Sequence, residues 1–292
     1  MTPAHIALAV VVTAVWGTNF IAMREGLDAF PPFLFSALRF LLAAVPIILF
    51  VKRPKIRLIH FLGITGALVV TKFSFLFFGM NAGMPPGLTS LVLQTQAFFT
   101  VILAALVLGE RPRAQQVLGI VIAFVGVATI FELAEDSVTA LGLMLVLIAA
   151  VAWAVSNLFM RASNAPDMLA VIVWASLAGS PVLFALSLMF EGPTEISTAI
   201  QAIDLKAVIV LIYSAFGSTI LGYVAWGMLI RTYGAGQVAP FSLLVPVFGM
   251  SSAALVYGEP LGLARLAAAS LIIIGLALVV LRLPKWALRA PE

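Results

Sequence analysis

Residues 14–24 read AVWGTNFIAMR, and residues 151–161 read VAWAVSNLFMR. Tryptophan third, an asparagine in the middle and Met-Arg at the end recur 137 positions apart, pairing Trp16 with Trp153, Met23 with Met160 and Arg24 with Arg161. A second echo lies further along. ALVLGERP at 105–112 corresponds to ALVYGEPL at 254–261, so that Gly109-Glu110 matches Gly258-Glu259 at an offset of 149. The offset grows because the second half carries a longer loop around 190–205.

The medium in which these copies sit follows from composition. The chain is 63% hydrophobic and 10% charged, with a mean hydropathy of +1.18, whereas soluble domains are about one-quarter charged. A spanning helix needs about 20 mostly apolar residues. Ten such stretches are predicted, near 4–24, 32–51, 59–80, 86–108, 114–131, 140–160, 168–189, 206–230, 236–257 and 262–282. They are apolar all round, which excludes a membrane β-barrel, whose strands alternate apolar and polar residues. The fold expected is an all-α membrane protein. The first run has no basic residue ahead of it and is long enough to span, so it reads as span one and not as a cleaved leader.

Basic residues set the orientation. The side carrying the N-terminus holds eleven Lys and Arg, namely Lys52, Arg53, Lys55, Arg57, Arg111, Arg113, Arg161, Arg231, Arg282, Lys285 and Arg289. The other side holds three, Arg24, Lys206 and Arg265. Cytoplasmic loops are enriched in Lys and Arg, so both termini are expected in the cytoplasm of a bacterial inner-membrane protein. The basic balance thus speaks to topology and not to a nucleic-acid surface. With no cysteine, disulfides and thiolate metal sites are excluded.

Five spans per half is an odd number, so the second copy enters the membrane from the opposite side. The expectation is ten transmembrane helices as two inverted five-helix repeats, 1–133 and 138–283, followed by a cytoplasmic tail, 284–292. Two such bundles can rock against each other and expose a site between them to either side in turn.

The stretches LTSLVLQTQAFFTVILAALVLGERPRAQQVLGIVIAFVGVATI at 88–130 and LLVPVFGMSSAALVYGEPLGLARLAAASLIIIGLALVV at 243–280 resemble the paired EamA domains of the drug/metabolite transporter superfamily. The segment GMPPGLTSLVLQTQAFFT at 83–100 is similar to bacterial exporters of cysteine and O-acetylserine, and the superfamily also contains exporters of aromatic amino acids. The resemblance covers essentially the whole chain. It implies a cavity between spans one, three, four, six, eight and nine, and export of neutral amino acids, aromatic and apolar ones included. The alternative is a proton-coupled exporter of drugs or organic cations. The small multidrug antiporters of this superfamily use a carboxylate in span one for proton exchange, and span one has none at depth here; downhill, facilitated export is the simpler expectation.

Two cations lie inside predicted spans, Arg39 and Lys72, with no acid deep in any span to neutralise them. Charge at the bilayer centre costs at least about 2.5 kcal/mol, so both are functional candidates. Arg39 could instead reach Glu25 or Asp28 at the end of span one, and Lys72 could pair with helix carbonyls. Lys72 lies in VTKFSFLFFGM at 70–80, amid rings including Phe75, where a substrate carboxylate would supply its partner. Trp16, Asn19, Trp153 and Asn157 place an aromatic and an amide at equivalent depths in both halves. They either line a pocket for a polar cargo or hydrogen-bond between helices.

In LQTQAFF, helical spacing puts Gln94 and Phe98 on one face and Gln96 on another. Tyr223 and Trp226 share a face that fits a cavity or a membrane interface. Pro240 and Pro246 each remove a backbone donor and mark a bend. The Gly-Glu pairs read as helix-end caps. Small residues such as Gly119, Ala123, Gly126, Ala267 and Gly275 suit close helix contact within one chain or a homodimer, and a monomer suffices. The substrate-binding set expected is therefore Trp16, Asn19, Lys72, Phe75, Gln94, Phe98, Trp153, Asn157 and Tyr223, with no catalytic residue, metal or cofactor. Neither an H-E-x-x-H motif nor a glycine-rich nucleotide loop is present, so neither an intramembrane enzyme nor an ATP-driven pump is expected.

Overall fold

A computed structural model describes residues 1–132 and 138–281, and the expected tail, 284–292, with Arg282, Lys285 and Arg289, lies outside the described residues. All described elements are helical. The principal helices are α1 (Pro3–Ala29), α2 (Pro32–Ile48), α3 (Leu58–Asn81), α4 (Pro86–Leu108), α5 (Ala114–Glu132), α6 (Ala140–Ser163), α7 (Met168–Phe190), α8 (Leu205–Tyr233), α9 (Ala239–Tyr257) and α10 (Leu263–Val280). Among the described residues, eight of these are long and apolar enough to cross a membrane, and α2 and α5 contribute shorter apolar stretches. With no water in hydrocarbon, only structures that satisfy their own backbone groups can span it, and helices of this length and composition do so. The chain is an integral membrane protein.

Helix ends follow local chemistry. Thr2, Thr139, Asp167 and Asp204 cap α1, α6, α7 and α8 with side-chain oxygens that accept a backbone N–H of the first turn. Gly109 and Gly258 end α4 and α9 at φ 68° and 65°, in the left-handed region open to glycine, and their N–H groups bond the carbonyls of Ala104 and Ala254. The stretch between α7 and α8, expected as loop, contains a short helix, Gly192–Gln201, that buries Ile196 and Ala199. Glu191 just ahead of it reaches the start of α2, accepting from Phe33 N at 2.6 Å and Leu34 N at 3.1 Å.

Packing relies on small residues. At the crossing of α5 and α10, a β-carbon on Gly119 would come within 2.6 Å of the Gly275 carbonyl oxygen, and one on Gly126 within 2.9 Å of the Ala268 carbonyl oxygen. In α1, Gly17 lets α9 approach so closely that a β-carbon there would meet Val245 O at 2.7 Å. Backbones this close gain dispersion contact that lipid tails cannot match.

Four helices depart from regular α geometry. Wider π-type turns occupy Thr65–Lys72 in α3 and Tyr213–Leu221 in α8, and 3₁₀ turns interrupt α4 at Leu93–Thr95 and open α9 at Ala239–Leu243. All four irregular segments carry residues of the central cavity. Such turns are uncommon in helices and concentrate at functional sites.

Candidate functional site

The helices enclose a cavity of about 1120 Å³. The expected helices α1, α3, α4, α6, α8 and α9 line it, and α2, α7 and α10 also contribute. It extends to the end of the bundle where α1 begins and α10 ends, and there Pro166 and the exposed Asp167 and Arg231 form its mouth. The opposite end is packed shut. There α9 lies against α1 and α4, Ser90 fills the space beside Gly249, and the Glu259 carboxylate accepts a hydrogen bond from Gly87 N at 3.2 Å.

Of the nine residues expected to bind substrate, Trp16, Asn19, Lys72, Gln94, Trp153, Asn157 and Tyr223 line this cavity. Phe98 and Phe75 do not. Phe98 is fully buried in the apolar core, and Phe75 packs half-buried against that core. The 3₁₀ turn at Leu93–Thr95 explains Phe98: tighter winding there changes the angle between Gln94 and residues further along, so spacing by four no longer places them on one face. For Gln96 the same winding matters in the other direction. Two residues apart are about 160° apart in an α-helix and about 120° apart in a 3₁₀ helix, and Gln94 and Gln96 both reach the cavity.

The polar groups form two networks. On one side, Arg39 Nη2 donates to Thr219 Oγ1 (3.3 Å), Thr219 Oγ1 donates to Ser214 O (2.9 Å), and Ser214 Oγ donates to Asn19 Oδ1 (3.1 Å). Trp16 Nε1 donates to Ser218 O at 2.9 Å, and Tyr213 OH to Val15 O at 2.9 Å. Within the wide turns of α8, the Ser218 carbonyl thus accepts from α1 and the Tyr213 hydroxyl donates to it. On the other side, Asn157 Nδ2 donates to Gln96 Oε1 (2.8 Å) and Thr100 Oγ1 (3.1 Å), and Gln94 Nε2 donates to Ser242 O (3.2 Å). The two readings of the paired asparagines thus coincide: Asn19 and Asn157 both line the cavity and both bridge helices.

The buried cations are held by rings. Lys72 Nζ lies 4.1 Å from the centre of Phe73 and 3.9 Å from that of Trp153, and the Arg39 guanidinium lies 4.5 Å from Phe73. Arg39 does not reach Glu25 or Asp28, because those are engaged elsewhere: Glu25 with Lys206 and the Tyr257 hydroxyl, Asp28 with Arg24 at 3.2 Å. Trp16 packs on Trp226 and Tyr223, with ring centres 5.1 and 5.9 Å apart, so this aromatic pair of α8 faces the cavity and not a membrane interface. Arg39, Gln96, Thr219 and Trp226 are cavity residues that sequence reasoning left out of the binding set.

The profile of the EamA-like transporter family matches residues 4–132 and again 140–281. The chain belongs to the EamA-like transporter family. It is accordingly a transporter and not an enzyme. Among EamA relatives, a probable amino-acid metabolite efflux pump of Salmonella typhimurium is 44% identical over 275 residues, covering 92% of this chain and 92% of the relative. The protein of the same name in Escherichia coli is 42% identical over 285 residues, covering 96% and 95%. A solved crystal structure shares the EamA chain's fold, with a TM-score of 0.66 at 19% identity over 96% of this chain and 98% of that one.

Proposed function

We propose that this protein exports amino acids and closely related metabolites from the cytoplasm by alternating access. Two similar relatives are named probable amino-acid metabolite efflux pumps, and the cavity has the features such a cargo requires. The observation that carries the proposal is Lys72, held between Phe73 and Trp153 on the wall of a central cavity without an acidic partner among the described residues. A cargo carboxylate answers that cation. The apolar and aromatic remainder of the wall accommodates varied side chains, so the range is broad for neutral amino acids, aromatic and apolar ones included.

The transport cycle uses ten spans in two inverted halves, 1–133 and 138–283. Irregular turns at matching places in α3 and α8, and again in α4 and α9, support that division. Both termini lie in the cytoplasm of the bacterial inner membrane, on the basic-residue argument. On that orientation the cavity faces the cytoplasm and the Glu259 end is the closed outer gate, the state in which an exporter loads. A single chain suffices for this cycle. Transport is facilitative, since no carboxylate among the described residues lies deep in the cavity to carry a proton. The same two cations weigh against an organic-cation exporter, because a cationic drug would meet like charge.

The test is uptake of radiolabelled neutral amino acids into liposomes containing the purified protein, with and without a pH gradient. Saturable equilibration that ignores the gradient supports the reading. Movement of organic cations alone, and only with the gradient, would replace it with the other.

A further inference from the structure

The cavity is generous to anions and offers little to an ammonium. Arg39 is 3% exposed, and its Nε and Nη1 have no hydrogen-bond partner. Lys72 is 5% exposed and, like Arg39, forms no ion pair among the described residues. Buried cations without counter-charge are costly unless a ligand completes them. The one acid on the described wall is Asp167, at the mouth, where its Oδ1 already accepts from Ala170 N at 3.2 Å.

The rings nearest Lys72 are already in use. Ring faces attract cations, but Phe73 already serves Arg39 and Lys72, and Trp153 serves Lys72. Four oxygens facing the cavity hold internal donors: Gln96 Oε1 takes Asn157, Asn19 Oδ1 takes Ser214, Ser218 O takes Trp16 and Ser242 O takes Gln94. An ammonium bound beside a carboxylate held by Lys72 would also sit in the field of two cations in a low-dielectric site.

Resting on the amino-acid reading above, we infer that the cavity recognises the carboxylate of its cargo and gains nothing from the ammonium. N-acylated amino acids, which keep the carboxylate and replace the ammonium with a neutral amide, are therefore cargo for the same site. Removing one unfavourable charge contact makes them the tighter ligands, by about tenfold, the factor that corresponds to a modest charge interaction.

The test uses the wild-type protein in liposomes, so it does not depend on any variant folding. Leucine, phenylalanine and methionine are each compared with their N-acetyl derivatives and methyl esters as competitors of uptake. The N-acetyl compounds should inhibit at about one-tenth the concentration of the free amino acids, and the cationic esters should not inhibit. N-acetyl compounds that require a higher concentration than the free amino acids, or esters that match them, overturn the inference while leaving amino-acid export intact. If neither the free nor the acetylated compounds are bound, both readings fall together. In Arg39→Lys the preference should persist, and in Arg39→Gln it should shrink towards parity. An unchanged preference in folded Arg39→Gln protein removes Arg39 from the account.

Discussion

Glu259 and Glu110 occupy the same place in the two halves of the sequence but hold different partners: Glu259 accepts from Gly87 N at 3.2 Å, across to the start of α4, whereas Glu110 pairs with Arg161 at 2.5 Å. The first contact ties the end of α9 to α4 where the cavity is shut. The second lies at the end where the cavity opens. Each follows a left-handed glycine that ends its helix, so the backbone devices match and only the partners differ. Under alternating access, Glu259 is then a latch of the closed gate. Glu259→Ala should loosen it. Because the chain has no cysteine, a single Ser90→Cys reports on the gate without background. Its labelling by an impermeant maleimide from the far side should rise severalfold in the Glu259→Ala background, and an unchanged rate removes the latch.

The same contact predicts a pH dependence. Burial pushes the Glu259 carboxyl up from its ordinary value, with the Gly87 N–H and Arg265 pulling it part of the way back. A raised value means that the closed gate binds a proton more readily than an open gate with Glu259 in water. Closure is therefore favoured most at acid pH, and the advantage is lost as pH rises through the closed-state value. Labelling of Ser90→Cys, normalised to a fully exposed cysteine, should fall as the outside is acidified and stop responding in Glu259→Ala.

Much of this was legible in the sequence because apolar runs and the Trp and Asn pairs are direct consequences of a membrane and a polar cavity. The repeated Trp16 and Trp153 both line the cavity, as their shared context suggests. What was not legible is helix phase. Whether a backbone N–H bonds the carbonyl three, four or five residues back at Leu93–Thr95 or Tyr213–Leu221 is decided by neighbours packed against it, and no residue in those stretches announces it. For that reason regular α spacing puts Phe98 on the face of Gln94 and Gln96 on another, whereas Gln94 and Gln96 both reach the cavity and Phe98 does not. Arg39 needed tertiary knowledge of another kind, since its reach to Glu25 or Asp28 is pre-empted by Lys206, Tyr257 and Arg24.

The α5 and α10 crossing makes a stability prediction. Gly119→Val places methyl groups against the Gly275 carbonyl and Leu278, so the helices must separate. Overpacking of this kind costs about 1–3 kcal/mol. The detergent-solubilised variant should melt several degrees lower, with uptake per folded molecule little changed because neither glycine lines the cavity. A wild-type melting curve would show that the crossing yields freely.

Phe98 and Asn157 separate packing from binding. Phe98→Ala empties a fully buried ring site, at a cost of about 3–5 kcal/mol, and should lower folded yield while leaving KM unchanged. Asn157→Ala removes the amide that joins Gln96 and Thr100 on the cavity wall, and should raise KM in protein of nearly normal yield. The reverse pattern, with KM moved by Phe98→Ala and untouched by Asn157→Ala, would return Phe98 to the site and make Asn157 a structural bridge.

Trp153 bears most directly on how Lys72 is held ready for a carboxylate. The ammonium lies 3.9 Å from its ring centre, an attraction worth about 0.5 kcal/mol when exposed and about 2 kcal/mol when desolvated. Trp153→Phe keeps a ring beneath Lys72 but a weaker one, so uptake should persist with KM raised a few-fold. Trp153→Ala leaves Lys72 only Phe73, frees it to swing towards the mouth, and should raise KM by about tenfold or more. Lys72→Gln removes the charge itself and should be the most severe of the three. If Trp153→Ala and Trp153→Phe behave alike while Lys72→Gln fails, the ring is a wall and not a cradle, and the position of Lys72 must be set by Phe73 alone.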